Sequence, residues 1–286
     1  MPQLRIICLA HPATWSDTVR DPNAIEKKIL ALNSSSSSWL NLNAERGRRR
    51  GIYKVEKLKK PNHVLVRFIA ESEIKEDYKS LEQLLKEDGC LPENVKIPIP
   101  IPSASKALLF FDLNQGICYA YIPGRPPKIE SIFETLYLLE RDTGISCRSA
   151  KLFEWTEEHA TKIAEIARKE GFIPYKTRAN LETVTVTAEG DLEHNEEWKK
   201  IQGAIDIGNW KTLAYIKSTE SGLIVFGLTK RRTKIISMPK TDPNLPLEEL
   251  LQRILETRQL IEKALGCDIR QHCFPEPIKT LPSFMG

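Results

Sequence analysis

Four short β-rich runs follow one another between residues 203 and 239, and they constrain the fold more than any other stretch. Turn-forming residues separate them, including Gly208-Asn209 and the polar segment 218–222. Alternation of strand-forming and turn-forming residues at this spacing is typical of consecutive hairpins. The pattern predicts a four-stranded antiparallel meander, with strands at 204–207, 212–216, 223–228 and 234–238.

The rest of the chain mixes helical and strand patterns without regular βαβ alternation. Residues 107–111 and 117–122 predict a hairpin, whereas apolar spacing over 128–141 and 247–265 predicts two amphipathic helices. We therefore expect an α+β fold of antiparallel hairpins packed with helices, arranged as two lobes. Alternating prolines at 97–102 form a stiff strip. They suggest an N-terminal lobe at 1–103 and a C-terminal lobe at 104–286.

Length and composition place the chain among ordinary globular proteins. Its 286 residues are 41% hydrophobic and 28% charged, enough to bury a sizeable core. No apolar run approaches the roughly 18 residues that span a bilayer, and the N-terminus lacks the pattern of a secretory signal. The six cysteines form no CxxC pair. These features predict a cytoplasmic protein with reduced thiols and no membrane association.

A basic segment at residues 46–60 is the clearest indication of a partner. Eight of its fifteen residues are Lys or Arg, and Glu56 is its one acidic residue. Cations at this density favour a polyanion, and arginine suits phosphate because its planar fork makes two hydrogen bonds. A solvated loop and an acidic protein surface are the alternative interpretations. The predicted phosphate contacts are Arg48, Arg49, Arg50, Lys54, Lys57, Lys59 and Lys60.

A second basic cluster falls in a turn of the predicted meander. A turn between strands is exposed, so this cluster either extends a phosphate-binding surface or is ordinary surface chemistry. The sequence contains no RNP motif, zinc-finger spacing or helix-turn-helix pattern, which favours phosphate and shape readout over base-sequence readout. The cluster consists of Lys230, Arg231, Arg232 and Lys234.

Two aspartates occupy equivalent places in a weak internal repeat. Asp112 and Asp206 each end an apolar run, and each is followed eight residues later by Ala-Tyr-Ile. Strand-end carboxylates hold Mg²⁺ in phosphoryl-transfer enzymes. The pattern is similar to the hairpin that opens ribonuclease H-like nucleases, over about a dozen residues in each copy. That resemblance implies a metal-dependent nuclease as an alternative function, with further ligands among Glu130, Glu134, Glu140 and Asp142.

Signatures of other chemistry are missing from the sequence. Neither GxGxxG nor GxxxxGK occurs, and no GxSxG elbow is present. Cys267, His272, Cys273 and the distant His194 lack the paired spacing of a zinc site. We therefore expect no small-molecule cofactor and no bound metal.

The sequence favours a binding protein over an enzyme. The prediction is a protein that binds DNA or RNA through the phosphate backbone, alone or as an accessory subunit of a nucleoprotein complex. A protein-interaction scaffold that docks a partner through the C-terminal helix or the proline strip is a third hypothesis.

Overall fold

A computed structural model shows an α+β protein, as the sequence predicts. It describes eleven stretches of the chain, and among their helices none is long and apolar enough to cross a bilayer. Helices lie on both faces of one extended antiparallel sheet. The described residues are 2–18, 21–32, 50–71, 79–89, 103–124, 127–181, 184–189, 210–219, 222–229, 236–237 and 246–275.

The sheet contains eleven strands within these ranges, in the order β2-β3-β4-β5-β1-β11-β10-β9-β7-β8. The short β6 pairs with the end of β1. The strands are β1 (Gln3–Cys8), β2 (Arg50–Lys57), β3 (His63–Glu71), β4 (Ala104–Asp112), β5 (Ile117–Ile122), β6 (Lys151–Leu152), β7 (Ile173–Leu181), β8 (Val184–Glu189), β9 (Trp210–Thr219), β10 (Gly222–Thr229) and β11 (Ile236–Ser237).

Seven helices accompany the sheet in the described ranges. Capping residues mark the ends of several helices. The Thr156 hydroxyl caps the start of one helix by accepting from the amide of His159, and Gly144 and Gly266 end two others in the left-handed conformation. The helices are α1 (Pro12–Thr18), α2 (Pro22–Ala31), α3 (Leu81–Glu87), α4 (Ile129–Thr143), α5 (Glu157–Lys169), α6 (Leu247–Leu265) and α7 (Ile269–Cys273).

Two hydrophobic cores lie on opposite faces of strands β1 to β5. Side chains alternate between faces along a strand. Phe110 accordingly packs in the core formed with α5, α6 and α7, whereas Leu109 and Phe111 pack in the core formed with α1, α2 and α4. Because both faces are covered, these strands read as nearly continuous apolar runs. A smaller cluster lies beneath α3.

Some elements differ from the sequence-based expectation. Residues 146–153 contribute only the two-residue β6 to the sheet, because β1 offers them only Ile7 and Cys8 and gives its other end to β11. Three strands of the predicted meander are present as β9, β10 and β11, and the run at 204–207 lies outside the described residues.

The position proposed for a lobe boundary lies between two paired strands. β3 precedes residue 103 and β4 follows it, yet they pair antiparallel along nine positions, from His63 opposite Asp112 to Glu71 opposite Ala104. The division of the chain into two lobes remains a prediction.

Candidate functional site

Five adjacent strands end in a single row of paired residues. The register aligns His63 of β3 with Asp112 of β4, Asp112 with Ile117 of β5, Ile117 with Cys8 of β1, and Cys8 with Lys151 of β6. At a spacing of about 4.8 Å between strands, this row is roughly 19 Å long. We call the surface beyond it the turn end of the sheet, since it carries the β2–β3 and β4–β5 turns.

The β2–β3 turn presents lysines to solvent. We call residues 57–62 the lysine turn; in it Lys57, Lys59 and Lys60 are exposed. The amide of Lys59 donates to Glu248 Oε1 at the start of α6 (2.6 Å), and Asn62 adopts a positive φ of 58°. These constraints hold the turn in one conformation, which lowers the entropic cost of binding a partner there.

Three cations of the basic segment, including Lys57 of the lysine turn, face carboxylates. Arg50 is only 5% exposed and forms an ion pair with Glu134 of α4. Lys54 Nζ lies 3.1 Å from Glu56 Oε1. Lys57 Nζ lies 3.1 Å from Oε1 of the buried Glu26, so its charge partly serves to compensate that carboxylate. Lys59 and Lys60 are therefore the described members best placed to contact a phosphate.

Asp112 is buried at the end of β4, where it organises the β4–β5 turn. Its Oδ1 accepts from the amides of Asn114 (3.1 Å) and Gln115 (3.2 Å). Gly116 completes the turn at a φ of 68°, and a Cβ on it would lie 2.4 Å from Trp15 Cδ2. A glycine is required here both by the backbone conformation and by the indole packed against it.

A histidine ring and an arginine guanidinium face the other oxygen of Asp112. His63 Nε2 lies 3.6 Å and Arg258 Nη1 lies 4.0 Å from Oδ2. Burial would raise the pKa of Asp112, but His63, Arg258 and the Gln115 amide together hold that pKa below its ordinary value. Asp112 is therefore an ionised carboxylate within an internal charge network.

Arg258 connects this network to the C-terminal helices. Its Nη1 donates to the Tyr119 hydroxyl (3.0 Å), and its Nε donates to Glu262 Oε1 (2.9 Å). Burial would lower the pKa of Arg258, but Tyr119 and Glu262 hold it above the ordinary value. Burial also raises the pKa of Tyr119, so the phenol stays protonated. The arrangement fastens α6 to the sheet through charge-assisted hydrogen bonds.

The surroundings of Asp112 bear on the nuclease hypothesis. Its carboxylate already faces Arg258 and two amides, and the described residues contain no group of three or more His, Cys, Asp or Glu placed to hold a metal. Glu130, Glu134, Glu140 and Asp142 lie on or beside α4, on the other face of the sheet from Arg258. The partner aspartate, Asp206, lies outside the described residues, so a shared metal site remains a hypothesis.

Helix α7 extends the turn end beyond the β4–β5 turn. Arg270 makes a two-pronged pair with Asp268 (2.9 and 2.7 Å) and donates through Nη1 to the Gln115 carbonyl (3.1 Å). Burial opposes ionisation of Asp268, yet hydrogen bonds from Arg270 keep its pKa below the ordinary value. Arg270 thus acts as a bridge between α7 and the turn.

Aromatic rings follow Arg270 along the same edge. The His11 ring meets the Phe274 ring edge to face, with centroids 6.0 Å apart, and Lys151 Nζ lies 4.7 Å from the Phe274 centroid. His11 is partly exposed and Lys151 is exposed. A cation beside aromatic rings is a combination that suits both phosphates and bases.

Two residues considered for zinc, His272 and Cys273, have other contacts in the structure. His272 donates through Nε2 to the Glu154 carbonyl (2.8 Å) and packs against Phe153 and His159. The Cys8 thiol donates to the Ile269 carbonyl (3.8 Å), and the neighbouring Cys273 thiol together with burial raises the pKa of Cys8. His194 lies outside the described residues.

Several predicted phosphate contacts cannot be placed in this geometry. The structure brings Lys57, Lys59 and Lys60 together and directs Arg50 and Lys54 to carboxylates. The remaining predicted contacts lie outside the described residues: Arg48, Arg49, Lys230, Arg231, Arg232 and Lys234.

Sequence reasoning missed the charged residues that support the turn end. Arg258 had a detectable signal, since it lies four residues after Ile254 and three before Ile261, on the apolar stripe of α6. A charged residue on a buried helical face indicates a buried partner. His63 and Arg270 carried no such signal, because their partners are brought close only by the folded sheet.

Comparison with known proteins adds no functional assignment. No protein-family model matches the chain, and no curated protein matches it significantly.

Proposed function

We propose that this protein binds nucleic acid through its phosphate backbone, without strong sequence specificity, alone or as an accessory subunit of a nucleoprotein complex. The observation that carries the proposal is the lysine turn, where Lys59 and Lys60 are exposed on a turn anchored by Glu248. Within the described ranges neither lysine forms an ion pair with a carboxylate, and exposed cations of this kind attract phosphates and release counterions on binding.

The neighbouring sequence supports the same partner. Arg46, Arg48 and Arg49 immediately precede the buried Arg50, so a dense run of cations leads into the same hairpin. The cluster at 230–234 would add a second contact surface. We further propose that the protein works in the cytoplasm, in keeping with the free thiols of its five described cysteines.

Fluorescence anisotropy with labelled oligonucleotides at about 50 and 200 mM salt tests the proposal. If about six phosphates are contacted, affinity falls by roughly 10³ across that range. A Lys59→Gln/Lys60→Gln variant weakens binding and lowers the slope of log affinity against log salt by about 2. An Arg48→Gln/Arg49→Gln variant has a similar effect.

A matched control replaces two exposed lysines elsewhere. Lys128 follows the opposite end of β5 and makes no capping hydrogen bond through its side chain, and Lys169 ends α5. A Lys128→Gln/Lys169→Gln variant changes the net charge equally and keeps the wild-type salt slope. Equal weakening by both double variants would mean that binding reflects net charge alone, and no binding to any probe would refute the proposal.

A further inference from the structure

We infer that the turn end of the sheet is a binding surface for single-stranded nucleic acid, which runs from the lysine turn to Lys151 with bases stacked beside His11. This inference rests on the proposed function and specifies its ligand. It depends on a continuous path of contacts that joins the two cationic ends.

The first part of the path links the two turns. Asn62 Nδ2 donates to Asn114 Oδ1 (2.9 Å), and Asn114 Nδ2 lies 3.5 Å from the Pro61 carbonyl. Asn114 is exposed and lies two residues after Asp112, the last residue of β4. The lysine turn and the β4–β5 turn therefore form one surface, with amide side chains beside the lysines.

The second part crosses to β1 and β6. Gln115 accepts from Arg270, the amide of Phe274 donates to the Arg270 carbonyl (2.8 Å), and Phe274 contacts both His11 and Lys151. Arg270 is neutralised by Asp268, so it positions this part and adds little net charge. Exposed lysines thus stand at the two ends, and amides and rings stand between them.

This order of cations, amides and rings favours a single-stranded nucleic acid over a duplex. Stacking on an aromatic or imidazole ring requires an exposed base face, which a duplex keeps covered by its neighbouring pairs. The carboxylates nearest the path are already engaged. Asp112 faces Arg258, and Asp268 faces Arg270. At the lysine turn, Glu26 faces Lys57 and Glu248 accepts from the Lys59 amide. The row length of about 19 Å is in keeping with a site of about four nucleotides, the lower end for single-strand-binding folds.

Two substitutions test the far end of the path. His11 Nδ1 accepts from the Ala13 amide (3.2 Å) at the start of α1. His11→Asn removes the ring but keeps a capping acceptor, so the fold is preserved. Lys151→Gln removes one exposed charge, and Lys128→Gln serves as its control at the opposite end of the sheet.

The measurement is anisotropy with a 12-nucleotide single strand, in deoxy and ribo forms, and with the 12-base-pair duplex. We expect the wild type to bind a single strand at least tenfold more tightly than the duplex. His11→Asn should weaken single-strand binding about tenfold, near the loss of one base stack. Lys151→Gln should lower the salt slope by about 1, and Lys128→Gln should leave binding unchanged. The single strand that binds with the higher affinity shows whether the protein prefers DNA or RNA.

The outcomes separate this inference from the proposed function. If the duplex binds as tightly as the single strands, and His11→Asn and Lys151→Gln bind as wild type, the inference is wrong. The proposed function then still stands if Lys59→Gln/Lys60→Gln weakens binding. If no probe binds, both are wrong. Circular dichroism and thermal unfolding of each variant establish that a loss of binding is not a loss of fold.

Discussion

The two ends of β2 place the same kind of charge in opposite settings. At its start, Arg50 is buried beneath α4 and paired with Glu134. At its end, Lys59 and Lys60 project into solvent from a turn that Glu248 holds through a backbone amide. Ten residues thus separate a cation that stabilises the fold from cations that are available to a partner.

The difference shows that charge density in a sequence does not by itself define a binding surface. Each buried cation of the described network faces a carboxylate, as Arg258 faces Asp112 and Glu262. Lys59 and Lys60 of the lysine turn face solvent, whereas Lys57 lies beside Glu26. We therefore expect substitutions at buried cations to change stability, and substitutions at exposed cations to change binding.

The largest effect is expected from Arg258→Ala. This change leaves Asp112 buried without its cationic neighbour and removes the hydrogen bond to Tyr119. Breaking a buried pair by removing one partner costs about 3–5 kcal/mol. Urea denaturation should show a corresponding fall in the free energy of unfolding.

The control for Arg258 is an exposed arginine in a similar pair. Arg141 pairs with Asp142 at the end of α4, and both side chains are largely exposed. Arg141→Ala should change the unfolding free energy by less than about 1 kcal/mol. Similar losses in the two variants would contradict a special role for the buried network.

Asp112→Asn is expected to have the next largest effect, and the effect depends on pH. Loss of hydrogen bonds to a charged group costs about 1.5–3 kcal/mol at neutral pH. The folded-state pKa of Asp112 lies below its ordinary value of 3.8. Its contribution to stability is therefore fully present above about pH 4 and is lost as the pH falls through the folded-state value.

Denaturation of wild type and Asp112→Asn at several pH values checks the direction of this pH dependence. The gap in unfolding free energy should be widest near pH 6 and should narrow below pH 4. A gap that stays constant to pH 3 would show that the carboxylate charge contributes nothing, and that Asp112 acts only through its shape and neutral hydrogen bonds.

Elements with strong local signals were predictable from the sequence. The stripe of Leu and Ile residues and the following Gly266 defined α6 to its last residue. Asn114-Gln115-Gly116 between two apolar runs defined the β4–β5 hairpin. In both cases the chemistry that fixes the structure lies within the element itself, so no knowledge of the rest of the fold was needed.

Elements that depend on distant partners were not predictable. β7 carries Lys176 and Arg178 and lacks regular alternation, yet it forms because β8 and β9 pair with it on both sides. The turn end likewise arises from the register of β1 with β5 and β6. The sequence therefore indicated a cluster of cations, of which Lys57, Lys59 and Lys60 are exposed, and their contact with phosphate stays a prediction. It could not show that Arg50 turns inward or that His11 and Lys151 share the lysines' edge.

Arg50→Gln is expected to have the smallest effect. It tests most directly whether the cations at the two ends of β2 have different roles. The Glu134 side chain is 29% exposed, so water can solvate it after the arginine is lost. We expect a loss of about 1 kcal/mol in unfolding free energy, near the upper value for a partly solvated pair. Oligonucleotide affinity and salt slope should match those of wild type, because the guanidinium does not reach solvent. Arg50→Gln could instead lower the salt slope as much as the loss of one lysine of the lysine turn does. That result would mean that Arg50 leaves Glu134 to contact phosphate. Burial in the free protein would then not exclude a cation from the binding surface.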